Sequence, residues 1–429
     1  MKQAIAIITL LIVSLAAAAQ DTVSMTLDSC LRYAFGNNLQ VLTARLNRES
    51  AEVNLSGARE RFLPSVSASA NQTLMTTSDA GRGGQASING SLMLFDGLSS
   101  IHNLKQSRMS ADQSELKVRQ TQQSVSVQIV QAYLTILMNE EKLAYQQEVL
   151  ETSRQQQLEG EVKYQVGRIL ESDYLLLQAN YTSAQSEIDN TRLTIENDRY
   201  LLNKLLNIGN DTVIAVVPST DTATAASHSV PPRDSVLAQA RRTMPEWRIS
   251  EMDVELARLN LKLAGSSFMP SLSLNAGYGG QWLPADVVEA TPGTSTFSDN
   301  GSLTLGLNIP IFDRGSSSTQ YKQSKISLQQ AELQHRQTLV DLEDQLDELH
   351  ITTCQALNRY RSTEALSEAY RASYEVYVLK YGEGAVTTVE MLQQQDRYLS
   401  ALNDYLQSKY SYILAEKQLD IYTGKEIKL

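Results

Sequence analysis

The chain has little from which to build a reactive site. Its 429 residues include two cysteines, Cys30 and Cys354, and four histidines. Two cysteines make neither a disulfide scaffold nor a cysteine-rich metal centre. His102, His228, His335 and His350 never fall at the spacing that puts two imidazoles on one helix face. No phosphate loop, G-x-S-x-G elbow or H-E-x-x-H helix occurs, so enzymes lose their usual marks and no cofactor is called for. Positive charge is also short: 37 Lys and Arg face 48 Asp and Glu, a net charge of -11. That balance argues against nucleic acid as a partner, because phosphate binding needs clustered Lys and Arg.

Long apolar runs are missing except at the start. Lys2, the apolar stretch Ala4 to Leu15 and the small residues Ala16 to Ala19 read as a signal peptide over 1–19. After it, no stretch reaches the length of a membrane-spanning helix. The exported chain is then either free outside the cytoplasm or enters a membrane as β-strands.

What is present is written twice. Asp28-Ser29 returns as Asp234-Ser235, and Pro64-Ser65 as Pro270-Ser271, at an offset of 206. Further on the offset is 217: Phe95-Asp96 matches Phe312-Asp313, Lys105-Gln106-Ser107 matches Lys322-Gln323-Ser324, and Tyr164 and Gly167 match Tyr381 and Gly384. A repeat this long is a duplicated supersecondary unit. The expected layout is a first repeat over 20–209, a polar linker over 210–232 with a short strand at Val213 to Val217, and a second repeat over 233–429.

Each repeat holds two strands between long helices. Leu272, Leu274, Ala276, Tyr278, Gly280 and Trp282 alternate with Ser271, Ser273, Asn275, Gly277, Gly279 and Gln281. Leu303, Leu305, Leu307, Ile309 and Ile311 alternate with Ser302, Thr304 and Asn308, and Leu283 to Thr296 reads as the loop between the two runs. The first repeat shows the same pattern more faintly at Ser65 to Met75 and Gln85 to Phe95, around Gly81, Gly83 and Gly84. One face is apolar and the other small and polar. A sandwich would alternate too, but the length and the polar face favour a membrane barrel. Four strands cannot close one, since about eight are needed, so several chains would have to share it.

Leu98 to Lys163 and Ser316 to Tyr381 contain no proline. Each predicts a helix of roughly 100 Å at 1.5 Å per residue. Their thin apolar stripes suit coiled-coil packing with one wet face. The fold class is therefore mainly α with membrane β. Pro64 and Pro270 mark helix-to-strand junctions, and Phe95 and Phe312 mark the return at headgroup level.

Phe62-Leu63-Pro64-Ser65, Phe268-Met269-Pro270-Ser271, Leu94-Phe95-Asp96-Gly97, Ile309-Pro310-Ile311-Phe312-Asp313-Arg314-Gly315, Tyr164-Gln165-Val166-Gly167 and Tyr381-Gly382-Glu383-Gly384 together resemble the TolC-type outer membrane factor family. The resemblance runs along essentially the whole mature chain. It implies a homotrimer in outer membrane lipid, with one 12-stranded β-barrel continued by a 12-helix α-barrel across the periplasm. It implies docking to a periplasmic adaptor (membrane fusion) protein and an inner-membrane RND or ABC pump, and passive export of small toxic compounds or proteins.

The resemblance also implies a gate at the turns after each Tyr-x-x-Gly. Its acidic positions are Asp173 and Glu390, while Gln393 stands at a second acidic position and Val386 at a basic one. Tyr164, Val166, Gly167, Arg168, Tyr381, Gly384 and Ala385 would form the tip that meets the adaptor, and Pro310, Asp96 and Asp313 join the barrel–helix junctions. Read from the residues alone, Thr387 and Glu390 fit a helix capping box, and Gly167 and Gly384 fit left-handed helix ends. Gate and cap are compatible roles. The rival class is an exported structural or adhesive coiled coil without channel activity, which leaves the four alternating strands unexplained.

Overall fold

The computed structural model describes residues 22–74, 82–209, 213–217, 229–283 and 296–425. The expected leader, Gly81, His228 and most of the expected 283–296 loop lie outside these residues. The elements run β1 (Thr22–Met25), α1 (Leu27–Asn37), α2 (Leu39–Glu60), β2 (Ser65–Leu74), β3 (Arg82–Asp96), α3 (Ser99–Gln165), α4 (Glu171–Leu206), β4 (Val213–Val216), α5 (Arg233–Thr243), α6 (Pro245–Ser266), β5 (Ser271–Leu283), β6 (Thr296–Asn308), α7 (Ser316–Gly382) and α8 (Thr388–Thr423). The helices α3 and α7 have 67 residues each, and α4 and α8 have 36 each.

The starts of the two longest helices are built alike. Asp96 Oδ2 accepts from the Ser100 N–H at 2.8 Å, and Asp313 Oδ2 accepts from the Ser317 N–H at 2.6 Å. A carboxylate here satisfies an orphan N–H and complements the helix dipole. The Ser317 hydroxyl, and then its N–H, hold the Asp313 carboxyl below its usual range. Each start also needs two left-handed residues, Gly97-Leu98 and Arg314-Gly315.

The described residues group into two compact units, each taking a stretch from either half of the chain. One gathers those of Met1–Thr43, Arg119–Met244 and Asp341–Leu429. Its core joins Leu27, Cys30 and Ala34 of α1, Ile129, Tyr133, Leu134 and Ile136 of α3, Leu202 and Leu206 of α4, and Ile413 of α8. Burial pushes the Cys30 thiol up to about 11, which suits a packing residue rather than a reactive one. Strand β1, four residues that the alternation pattern does not reveal, pairs in parallel with β4. The Tyr133 hydroxyl donates to Val217 O at 2.7 Å and Met25 O at 3.2 Å, closing the end of that pair.

Between α3, α7 and α8, tyrosines take the place of aliphatic packing. Tyr360 stacks on Tyr405 and Tyr412 with ring centres 5.9 and 6.0 Å apart. Glu141 on α3 accepts from Lys409 Nζ at 2.8 Å and from the Tyr410 hydroxyl at 2.8 Å. Burial and this carboxylate push the Tyr410 hydroxyl far up, so it stays a donor.

The second unit gathers Ala44–Val118 and Pro245–Val340 and holds an antiparallel sheet of order β2-β3-β5-β6. Leu272 sits opposite Leu307, Leu274 opposite Leu305 and Leu92, and Tyr278 opposite Ile88. Directly opposed residues share a face, so one side is apolar. The other carries Ser65, Ser67 and Ser69 opposite Ser91, Asn89 and Ser87, and Ser273, Asn275 and Gly277 opposite Gly306, Thr304 and Ser302. Hydroxyls bond across it: Ser65 to Ser91 at 2.8 Å and Ser69 to Ser87 at 3.0 Å.

Two strand limits differ from the sequence reading. Gly83 and Gly84 lie within β3 rather than in a turn. A Cβ on Gly84 would come within 2.1 Å of Trp282 Cζ2, so the indole packs where a side chain would stand. Strand β6 ends at Asn308, not at Ile311, because Pro310 has no N–H for the ladder.

Candidate functional site: the paired helical turns

In the first unit, each long helix ends in the same reversal. After α3, Gly167 has φ 76°, its N–H donates to Tyr164 O at 2.9 Å, and the Arg168 N–H donates to Lys163 O at 2.8 Å. After α7, Gly384 has φ 76°, its N–H donates to Tyr381 O at 3.1 Å, and the Ala385 N–H donates to Lys380 O at 2.8 Å. This pair of bonds is the Schellman arrangement, and it needs a left-handed residue where glycine stands. Val166, Gly167, Arg168, Gly384 and Ala385 are all exposed.

The two motif tyrosines do different things. Tyr164 lies on the surface and stacks on Tyr174, with ring centres 5.6 Å apart. Tyr381 is buried with Leu177 and Met391, and Val386 packs against that cluster. Lys163 Nζ sits 4.5 Å from the centre of the Tyr381 ring, which ties the end of α3 to the end of α7. Burial pushes the Tyr381 hydroxyl up. Gly160 is the glycine inside α3 because Leu177 rests on it, with Cδ1 2.4 Å from where a Cβ would be.

The acidic positions also differ. Thr387 caps α8: its Oγ1 accepts from the Glu390 N–H at 3.3 Å, and its N–H donates to Glu390 Oε2 at 2.8 Å. The capping box holds the Glu390 carboxyl below its ordinary value. Leu170, with nearly the same backbone angles, caps α4 with no side-chain bond. Asp173 then lies in the first turn of α4 without a reciprocal partner at the cap. Gln393 is exposed one turn after Glu390.

Behind the turns lies a buried polar cluster that the sequence pattern hides among wet-face residues. Asn180 Nδ2 donates to Ser153 Oγ and to Gln395 Oε1, each at 3.1 Å, and Gln395 Nε2 donates to Ser153 Oγ at 3.2 Å. Gln156 Nε2 donates to the Tyr374 hydroxyl at 3.3 Å nearby. Ser153, Gln156 and Gln395 are buried.

The junction residues of the second unit flank the strands. Pro64 and Pro270 follow a last helical turn closed by Leu63 N–H to Glu60 O and Met269 N–H to Ser266 O. Phe95 follows a bulge at Leu94. Phe62, Phe95, Phe268 and Phe312 are exposed. Among the described residues, no group of three His, Cys, Asp or Glu side chains could hold a metal ion, and no helix is long and apolar enough to cross a membrane.

A sheet apolar on one face and hydroxyl-lined on the other, in a chain whose very long helices reverse at glycine turns, is the fold of an outer membrane channel subunit. The chain belongs to the outer membrane efflux protein family, whose model matches residues 31–207 and 236–425. It is 22% identical over 415 residues to the outer membrane efflux protein BepC of Brucella suis, covering 95% of this chain and 87% of that one. It is 22% identical over 394 residues to the outer membrane protein TolC of Vibrio cholerae, covering 89% and 87%. The fold matches the crystal structure of the Campylobacter jejuni CmeC outer membrane channel with a TM-score of 0.74 at 19% identity, covering 93% of this chain and 85% of that one. The family is one of channel proteins, not of enzymes, and the protein is placed in the outer membrane, extending into the periplasm.

Proposed function

We propose that three copies of this chain form the exit duct of a tripartite export system. The carrying observation is the four-stranded sheet, whose outer strands β2 and β6 each pair on one edge only among the described residues. Edges of 10 and 13 residues carrying Val66, Leu303, Leu305 and Leu307 would aggregate if left open. Pairing β6 of one copy with β2 of the next would satisfy both and close twelve strands around the polar face. The duplicated halves, 20–209 and 233–429 about the 210–232 linker, each supply two strands and the helices of a periplasmic tunnel.

Asp173, Glu390 and Gln393 would ring the closing end of that tunnel, with Val386 packed behind them. The turns Tyr164 to Arg168 and Tyr381 to Ala385 would meet a periplasmic adaptor, and an inner-membrane RND or ABC pump would supply the energy. The cargo, small toxic compounds or proteins, follows from that pump. The test is the protein mass of the particle extracted from outer membranes in detergent. Three chains are expected; a monomer, or a protein that stays in solution without detergent, would end this reading. Single-channel recording then tests the gate: Glu390→Ala should change conductance or cation preference, and an unchanged record would remove Glu390 from it.

A further inference from the structure

The second unit carries a charged groove that the channel reading does not use. It lies between α3 and α6, holds about 490 Å³, and is lined by Lys105, Arg108, Asp112, Glu255, Arg258 and Lys262. Two hydrogen bonds fix how its walls face each other. Gln106 Nε2 donates to Asn260 Oδ1 at 3.0 Å, and Gln113 Nε2 donates to Asp253 Oδ1 at 2.6 Å. This antiparallel register sets Lys105 level with Lys262, Arg108 with Arg258, and Asp112 with Glu255. The charges therefore stand in tiers, with both cationic tiers toward the strands and the acidic tier away from them.

The cations are poorly balanced. Among the described residues, Lys105, Arg108 and Lys262 make no ion pair, and Arg258 reaches Glu332 only at 4.0 Å. Like charges on two facing helices repel, and an anion between them would relieve that repulsion. One turn before Lys105 on α3 stands His102, whose Nδ1 is buried and has no hydrogen-bond partner among the described residues. The chain as a whole is acidic, so this patch is a local exception.

The depth of the groove indicates which anion fits. The exposed Phe62, Phe95, Phe268 and Phe312 mark the level of a membrane interface. Lys105 stands six residues into α3, about 9 Å along its axis, and Lys262 four residues before the end of α6, about 6 Å. The headgroup layer on either side of a bilayer is about 5–8 Å thick. The backbone of Lys262 thus lies within the headgroup layer and that of Lys105 about 1 Å past it, and a lysine side chain, which extends toward a charged layer, brings both ammonium groups to the lipid phosphates, with the arginines one turn beyond.

We propose that this groove binds the phosphate headgroup of an anionic phospholipid from the periplasmic leaflet, with Lys105 and Lys262 meeting the phosphate and Arg108 and Arg258 closing beneath it. The proposal rests on the strands facing lipid, which the particle mass tests separately. Native mass spectrometry of the intact detergent-extracted particle would titrate phosphatidylglycerol against phosphatidylcholine, with millimolar inorganic phosphate as competitor. The expected result is about tenfold tighter binding of phosphatidylglycerol, persisting in phosphate and lost in the K105Q/R108Q/R258Q/K262Q variant at unchanged oligomer mass. D112N/E255Q, which removes only the acidic tier, should tighten binding about threefold and covers the case in which the quadruple variant fails to assemble. Equal binding of the two lipids, an undiminished preference in the quadruple variant, no effect of D112N/E255Q, or displacement by free phosphate would each overturn the proposal.

Discussion

Glu390 and Thr387 hold each other across the first turn of α8: the threonine hydroxyl oxygen accepts from the glutamate N–H, and the glutamate carboxylate accepts from the threonine N–H. The gate candidate is therefore also a structural cap. Removing the hydroxyl alone separates the two roles. Thr387→Ala should cost about 1 kcal/mol of stability, read as a lower denaturant midpoint, while leaving the Glu390 charge in place.

The same pair sets a pH dependence. The Glu390 carboxyl is held below its ordinary value of 4.5, first by the Thr387 N–H and then by the Thr387 hydroxyl. A lowered folded value means the stabilisation is complete above the unfolded value and fades as the pH falls through the folded one. The protection factors of amides at the start of α8, corrected for the intrinsic exchange rate at each pH, should fall below about pH 4.5 in the wild type. Glu390→Gln should flatten that response.

Leu170 offers the converse test. Its angles, φ -75° and ψ 156°, nearly equal those of Thr387 at -78° and 159°. Leu170→Thr therefore needs no backbone change, and it places a hydroxyl three residues before Asp173. It should stabilise the start of α4 by about 0.5–1 kcal/mol, seen as slower amide exchange there.

Glu141 is the shared acceptor of Lys409 and Tyr410 in a partly buried layer. Glu141→Ala leaves both donors without their acceptor and should cost about 2–3 kcal/mol, read as a lower thermal midpoint. A double variant with Lys409→Met should recover part of that loss; an additive result would dismiss the coupling.

The two faces of the sheet should answer differently to charge. Leu305→Arg, on the apolar face and 63% exposed, should cut membrane assembly by about 2–4 kcal/mol. Thr304→Arg, one residue away on the polar face, should assemble normally and shift ion preference. Heat-resistant oligomer in outer membrane fractions gives the first readout, and planar-bilayer recording the second.

Local patterns were legible in the sequence. The absence of proline gives the helices, period-2 alternation gives the strands, and the T-x-x-E spacing gives the cap at Thr387. What escaped depends on distant partners. Gly84 reads as a turn residue until Trp282, on another strand, is seen lying over it. Ile309 and Ile311 keep the strand parity although Pro310 has already ended the ladder. Tyr164 and Tyr381 share a motif, yet only Tyr381 is buried, a difference made by Leu177 and Met391. Ser153, Asn180 and Gln395 look like solvent-facing positions until three helices bring them together. The basic groove divides its cations between two segments of the chain, so no local run of charge announces it.

The hydroxyl and amide wall has a consequence for whatever passes along it. Among the described strand residues of that face, the only ionisable side chain is Asp96, at the last position of β3. Ser, Thr, Asn and Gln offer each solute interchangeable weak contacts and no fixed counter-charge. Such a surface neither sorts permeants by sign nor retains them. In the duct proposed above, discrimination and dwell time would then be decided away from the strands, and the strand-lined stretch would be a drain rather than a filter.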